Sequence, residues 1–129
     1  DWGHAKDYVE MQWLMLQRES PEDFVISTGK MISVRQFIEL AAKALGWGGE
    51  NINNPIIWEG KNEDEIGRRA DNGEIVIRID PRYFRPTEVD LLKGDPTKAK
   101  TKLNWVAKTS FSQLVTEMVK SDIDAINKK

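Results

Sequence analysis

Apolar residues at helical spacing predict the first elements of the chain. The pattern predicts a helix over residues 4–19, with apolar positions at Ala5, Val9, Trp13 and Leu16. Ser20-Pro21 would end this helix, because proline cannot continue it. A clearer helical pattern follows Ser33, which can form a capping box with Gln36. Gly46 stands where a C-terminal cap of that second helix would lie.

Shorter runs in the first two thirds of the chain predict strands. Phe24–Gly29 (FVISTG) is predicted to be a short strand that ends at its glycine, and residues 56–60 (IIWEG) are predicted to be another strand. Glu74–Asp80 alternates isoleucines on one face, which is a strand pattern. Gly48–Asn54 is loop-like. Residues 61–73 are charged and poor in apolar side chains, so they predict a surface excursion.

The C-terminal part of the chain returns to helical patterns. Asp95 would cap a helix with Pro96 at its first position, and the last helix would begin at Thr109 or Ser110. Together these patterns predict roughly four helices and three strands. We therefore expect an α/β protein, or α+β for this chain by itself, with helices around small sheets in one domain spanning residues 1–129.

Composition narrows the possible functions. Apolar residues make up 40% of the 129, enough for a core, and the net charge of −2 argues against binding nucleic acid by bulk electrostatics. No apolar run reaches the length of a membrane span, and the absence of cysteine excludes disulfides. One histidine, His4, cannot form a metal cluster. Because it lies near a predicted helix start, His4 is expected to be a structural hydrogen-bonding residue rather than an acid or base. These features suit a cytoplasmic protein, and the start at Asp1 suggests a piece of a longer one.

Known catalytic motifs do not occur in the chain. The cluster Gly46-Trp47-Gly48-Gly49 follows a predicted helix and lacks the dinucleotide-binding pattern. Neither a G-x-S-x-G elbow nor an H-E-x-x-H motif is present. The acidic run Glu63-Asp64-Glu65 is expected to be solvated surface. We therefore expect no catalytic residue, no cofactor-binding residue and no metal site in this chain.

The stretch from Asp80 to Ala99, DPRYFRPTEVDLLKGDPTKA, suggests an anion-binding site. Pro86 restricts Arg85 to an extended backbone and also suits the first position of a short helix, PTEVDLL, over residues 86–92. Arg85 would then stand at a helix N-terminus, where the dipole favours an anion and the guanidinium can grip a phosphate. An ion pair with Glu88 is the structural alternative for Arg85.

The neighbours of Arg85 also allow two interpretations each. Glu88 could accept hydrogen bonds from ribose hydroxyls, or it could be an ordinary acidic residue of a first helical turn. Tyr83 could contact a ligand or pack in the core. Arg82 would point away from Tyr83 on an extended backbone and is expected to be surface.

Three segments resemble the C-terminal part of the GDP-mannose 4,6-dehydratase family of extended short-chain dehydrogenases. They are DWGHAKDYVEMQWLMLQ, FVISTGKMISVRQFIELAAKALGW and, most specifically, IRIDPRYFRPTEVDLLKGDPTKAKTKLNW. The resemblance covers nearly the whole chain. Asn104 departs from the usual glycine of the Leu-Gly-Trp motif.

The resemblance implies roles that the residues alone do not establish. Arg85 would hold the phosphates of GDP-mannose, Glu88 the guanosine ribose, and Tyr83 would line the same pocket. NADP and the catalytic residues would belong to an N-terminal Rossmann portion, outside this chain, of a homo-oligomeric enzyme on the route to GDP-fucose. Two alternatives remain: the same portion of another sugar-nucleotide dehydratase or epimerase, or a non-catalytic interaction module.

Overall fold

Helices flank one small sheet along the described chain. The computed structural model describes residues 1–49, 53–89 and 91–128. In that part, the α-helices are α1 (Ala5–Leu16), α2 (Val34–Ala44), α3 (Thr97–Leu103) and α4 (Phe111–Asn127). The strands are β1 (Ile56–Glu59), β2 (Ile66–Arg69) and β3 (Ile75–Arg78), with a 3-10 helix at Asn62–Asp64. The predicted mixed class, with α-helices and a small sheet, is confirmed. Within those ranges, no helix combines the length and apolar composition that a membrane span requires.

The helix ends follow capping residues that the sequence indicated. α2 begins directly after Ser33, and Gly46 beyond its end has a φ of 75°, the left-handed conformation that glycine tolerates. α3 ends at Asn104 with a φ of 51°, which explains why asparagine can replace glycine there. Before α4, the Ser110 amide donates to Gln113 Oε1 at 2.8 Å and the Gln113 amide donates to Ser110 Oγ at 3.3 Å. This capping box begins the last helix.

Two further side chains cap helices as expected. Asp95 Oδ1 accepts a hydrogen bond from the Thr97 amide at 3.0 Å, and α3 begins one residue later than predicted, after Pro96. His4 Nδ1 accepts one from the Lys6 amide at 3.0 Å at the start of α1. The structural role predicted for His4 is therefore confirmed.

The chain divides into two compact units. The first comprises Asp1–Ser33 with Asp90–Met118, and the second comprises Val34–Val89 with Val119–Lys129. The core of the first unit consists of Met11, Ala99 and Trp105. Half-buried side chains pack around these three, namely Tyr8, Leu14, Met15, Phe24, Ile26, Leu103 and Ala107.

The residues whose spacing predicted α1 do not form its buried face. Val9, Trp13 and Leu16 are exposed, whereas Met11 is completely buried. Helix α1 carries apolar side chains on both faces, so periodicity predicts the helix but does not distinguish which face is buried.

The strand predicted at Phe24–Gly29 is wrong. This segment has no strand pairing, and its Thr28 and Gly29 amides each donate to the Asp1 carboxylate at 2.8 Å. Phe24 and Ile26 pack against the core of the first unit instead. The apolar residues of this segment therefore reflect packing, because the Asp1 carboxylate and not a neighbouring strand accepts from the Thr28 and Gly29 amides.

The second unit contains an antiparallel sheet in the order β1–β2–β3. Ile56 of β1 pairs with Arg69, and Gly67 of β2 pairs with Ile77 of β3. A Cβ atom at Gly67 would lie 2.7 Å from Ile77 Cδ1 and 3.1 Å from Ile56 Cγ2. The central strand therefore approaches its neighbours at a point where a larger residue would clash.

Strand β2 lies within residues 61–73, so the predicted surface excursion is wrong for this segment. Its buried position is a glycine, which gives no apolar signal, and its arginines are paired: Arg68 Nε with Glu59 Oε2 at 3.0 Å and Arg69 Nη2 with Asp71 Oδ2 at 2.7 Å. The neighbouring segment Gly48–Asn54 was predicted to be a loop, and its residues 50–52 lie outside the described residues.

Candidate functional site

The candidate stretch, residues 80–88, follows the edge strand β3 and begins with a turn. The Asp80 carbonyl accepts a hydrogen bond from the Tyr83 amide at 3.0 Å, which closes a β-turn with Pro81 at its second position. Asp80 Oδ1 also accepts one from the Arg82 amide at 3.0 Å, the pattern of an Asx turn. Asp80 therefore determines the direction in which the chain leaves the sheet.

The guanidinium of Arg82 is bound to the same aspartate. Its Nη2 donates to Asp80 Oδ2 at 2.6 Å and its Nε donates to Oδ1 at 3.1 Å. These hydrogen bonds, with that from the Arg82 amide, hold the pKa of Asp80 below its ordinary value. Arg82 is exposed, as predicted, but its predicted direction away from Tyr83 is wrong. The backbone turns instead of extending, and the guanidinium carbon lies 5.5 Å from the centre of the Tyr83 ring.

The short helix predicted over residues 86–92 is wrong. Residues 86–89 and 91–92 have no helical structure, and residue 90 lies outside the described residues. Val89, Leu91 and Leu92 are all exposed, so the segment has no buried apolar face that could stabilise so short a helix. Arg85 consequently does not stand at a helix N-terminus, and the dipole argument for anion binding does not apply.

Arg85 and Glu88 are brought together, but only loosely. Arg85 Nη1 lies 3.8 Å from Glu88 Oε2, and the two side chains are 75% and 63% exposed. That separation is too long for a hydrogen bond, and Glu88 Oε1 accepts instead from the Val89 amide at 3.2 Å. An exposed pair of this kind stabilises a fold by about 0–1 kcal/mol. The ion pair that was the structural alternative for Arg85 is therefore present, but it is weak.

Tyr83 is also available at the surface. It is 77% exposed, so the alternative that it packs in the core is wrong. Its amide is fixed by the turn, and the Arg82 guanidinium only approaches its ring at the surface. The contacts thus form two local pairs, Arg82 with Tyr83 and Arg85 with Glu88, within residues 82–88.

Asp80 is the residue that the sequence analysis did not single out. A signal was present, because Asp followed by Pro favours turn initiation and an aspartate can accept from the amide two residues later. The same Asp-Pro pair was used at Asp95 to predict a helix start. At Asp80 it follows a strand, and it initiates a turn.

A second aspartate, Asp7 in the first unit, is buried and bound by backbone amides. Its Oδ2 accepts hydrogen bonds from the Thr109 amide at 2.8 Å and the Lys108 amide at 3.1 Å, and its carbonyl accepts from Trp105 Nε1 at 3.1 Å. Burial alone raises the pKa of Asp7, but the hydrogen bonds from Thr109 and Lys108 outweigh burial and lower it. The carboxylate thus serves as an ionised cap for backbone amides.

Comparison with known families gives a match over most of the chain. The family model described as GDP-mannose 4,6 dehydratase matches residues 1–118. Since the stretch from Asp80 to Glu88 lies inside this range, the candidate site belongs to the matched region.

Individual relatives are similar over nearly all of the chain. The Homo sapiens GDP-mannose 4,6 dehydratase is 53% identical over 124 residues, which cover 96% of this chain and 32% of that protein. The Drosophila melanogaster protein of the same name is 52% identical over 128 residues, covering 99% and 31%. A GDP-mannose 4,6-dehydratase of Yersinia enterocolitica is 50% identical over 127 residues, covering 95% and 34%. The chain therefore spans about a third of the length of these relatives.

Proposed function

Because the chain belongs to the GDP-mannose 4,6-dehydratase family, we propose that it is the nucleotide-sugar-binding portion of an enzyme converting GDP-mannose to GDP-4-dehydro-6-deoxymannose. The observation that carries this proposal is identity of 50–53% to relatives of that name over at least 95% of the chain. Residues 1–129 would act together as this portion.

Arg85 is proposed to hold the phosphates of the substrate. Its side chain is 75% exposed and its partner Glu88 lies beyond hydrogen-bond distance. Exchanging a surface ion pair worth about 0–1 kcal/mol for a bidentate phosphate contact is therefore favourable. By contrast, Arg82 would have to leave hydrogen bonds of 2.6 and 3.1 Å to Asp80, which makes it a poorer candidate for the phosphates.

Glu88 and Tyr83 are proposed to complete the nucleotide contacts. With Arg85 engaged by phosphate, the Glu88 carboxylate is free to accept hydrogen bonds from the guanosine ribose. Tyr83 offers an exposed ring and hydroxyl beside them, suited to line the pocket. Binding energy from this remote end of the substrate would help to orient the sugar for chemistry elsewhere in the enzyme.

NADP is proposed to bind outside this chain. The glycine cluster was the one feature here that could suggest a dinucleotide, but it does not fit. The Gly46 amide donates to the Lys43 carbonyl and the Trp47 amide to the Ala42 carbonyl, each at 3.0 Å. These amides close the C-terminus of α2, whereas a dinucleotide phosphate needs free amides at a helix N-terminus. We assign no catalytic residue to this chain, and we propose that the full-length protein is a homo-oligomeric, cytoplasmic lyase.

Nucleotide preference of the full-length enzyme tests the proposal. GDP-, UDP- and dTDP-sugars would be titrated by calorimetry, and the expected result is tightest binding of GDP-mannose. Preference for a uridine or thymidine sugar would instead indicate a sibling dehydratase or epimerase. No binding of any of them would indicate a non-catalytic interaction module.

Substitution of Arg85 tests the proposed site directly. Arg85→Ala should weaken GDP-mannose binding by about 1.5–3 kcal/mol, the range for a hydrogen bond to a charged group, or about 10- to 150-fold in Kd. Arg82→Ala is the matched variant, three residues away and equally exposed, and should leave Kd unchanged. Unchanged affinity with a lower melting temperature in Arg85→Ala would show that Arg85 is structural.

A further inference from the structure

Asp80 accounts for most of the order in the candidate stretch. Its carbonyl accepts from the Tyr83 amide at 3.0 Å, and its Oδ1 accepts from the Arg82 amide at 3.0 Å. Residues 80–88 contain no helix and make no strand pairing, since the pairing of β3 ends at Arg78. Its conformation therefore depends on local hydrogen bonds, and those of Asp80 are the first after the sheet.

The turn and Pro86 constrain Arg85 from both sides. Pro81 restricts its own φ, and Asp80 accepts from the amides of Arg82 and Tyr83. The chain therefore leaves the turn at Tyr83 in a defined direction. Pro86 restricts the backbone of Arg85 to extended conformations. Only the half-buried Phe84 lies between these two constraints.

We propose that Asp80 is a positioning residue, which presents Tyr83 and Arg85 to the nucleotide without touching it. This inference rests on the proposed function, because it assumes that Tyr83 and Arg85 bind the substrate. Ordering the backbone of two contact residues before binding lowers the entropic cost of binding the nucleotide. The effect belongs to the Asp80 side-chain oxygen that accepts from the Arg82 amide, and the ion pair with the Arg82 guanidinium is secondary.

Two substitutions of Asp80 separate the turn from the charge. In the full-length enzyme, Asp80→Ala should raise the KM for GDP-mannose and the Kd for GDP about 3- to 10-fold. Its kcat should be retained, since the loss falls on binding remote from the reacting atoms. Asp80→Asn should restore near-normal values, because its amide oxygen can still accept from the Arg82 amide. Arg82→Ala should also be near normal, because the acceptor of the turn remains.

The outcomes distinguish this inference from the proposed function. If the full-length enzyme binds none of the nucleotide sugars, the proposed function fails and this inference fails with it; if it binds GDP-mannose but Arg85→Ala leaves Kd unchanged, the contact role of Arg85 and this inference fail while the proposed function stands. If Arg85→Ala weakens binding but Asp80→Ala does not, only the positioning role is overturned. Equal defects in Asp80→Ala, Asp80→Asn and Arg82→Ala would assign the effect to the ion pair and overturn the role of the turn. A fall in kcat and melting temperature in Asp80→Ala without the KM change would show a merely structural residue.

Discussion

Two aspartates organise the two units of this chain in opposite ways. Asp7 is 3% exposed and accepts from amides about a hundred positions away in sequence, those of Lys108 and Thr109. The Asp80 side chain is 39% exposed and accepts from the amide of Arg82, two positions away. A buried, long-range cap stabilises a fold, whereas an exposed, local cap only shapes a segment. The difference separates a structural carboxylate from one that can serve a binding site.

The largest expected effect lies in the core beside Asp7. Trp105→Ala should reduce the free energy of unfolding by about 3–5 kcal/mol, because it removes a large side chain packed on Met11 and Ala99. Denaturant unfolding of the full-length protein would measure this loss. Trp105→Phe keeps most of the volume but loses the hydrogen bond to the Asp7 carbonyl, so it should cost about 1–2 kcal/mol. Equal losses in both variants would mean that the hydrogen bond, and not packing, dominates this region.

The aspartate itself should have the next largest effect. Asp7→Ala leaves the partly buried Lys108 and Thr109 amides without this acceptor, and we expect a loss of about 1–3 kcal/mol in the free energy of unfolding at neutral pH. Asp7→Asn retains one acceptor oxygen and should lose less. A stability of Asp7→Ala within about 0.5 kcal/mol of the wild type would remove the contrast with Asp80.

Periodicity and capping predicted much of the fold, and the errors have identifiable physical causes. β3 was evident because its isoleucines alternate, and the end of α3 was evident because Asn104 tolerates a left-handed backbone. β2 was missed because its buried position is Gly67, where close approach replaces apolar volume. The helix predicted over residues 86–92 does not form, because a proline at its first position cannot compensate for exposed leucines.

The candidate site was predictable to a similar extent. Arg85, Glu88 and Tyr83 came from the family resemblance and from the stiffness of Arg85-Pro86, and their binding roles remain predictions. The structure changes the physical argument for phosphate binding by Arg85, since this residue is exposed and loosely paired instead of lying at a helix start. Asp80 was missed because its importance depends on hydrogen bonds to residues 82 and 83, which periodicity does not detect.

Acid pH should remove part of the stability that Asp7 contributes. The hydrogen bonds from Thr109 and Lys108 outweigh the effect of burial and hold the pKa of Asp7 below its ordinary 3.8 in the folded protein. Because the folded-state pKa is the lower one, the contribution is complete above about pH 5 and is lost as the pH falls through the folded-state pKa. The difference in unfolding free energy between the wild type and Asp7→Ala should therefore narrow below about pH 4. A difference that stays constant with pH would show that the charge of Asp7 contributes nothing.

The smallest global effect should come from Asp80, and it should be confined to the turn. Asp80→Ala removes an exposed acceptor, so the free energy of unfolding should change by less than about 1 kcal/mol. The Arg82 amide should nevertheless exchange with solvent faster, because it loses its acceptor, whereas the amides of β2 should exchange at an unchanged rate. Hydrogen exchange of the full-length protein, read by mass spectrometry on peptides covering residues 66–69 and 79–85, would measure both. Faster exchange throughout the sheet would show that Asp80 supports the second unit as Asp7 supports the first, and the two carboxylates would then be equivalent. Faster exchange limited to the turn would show that an exposed aspartate can order a segment without stabilising the fold that carries it.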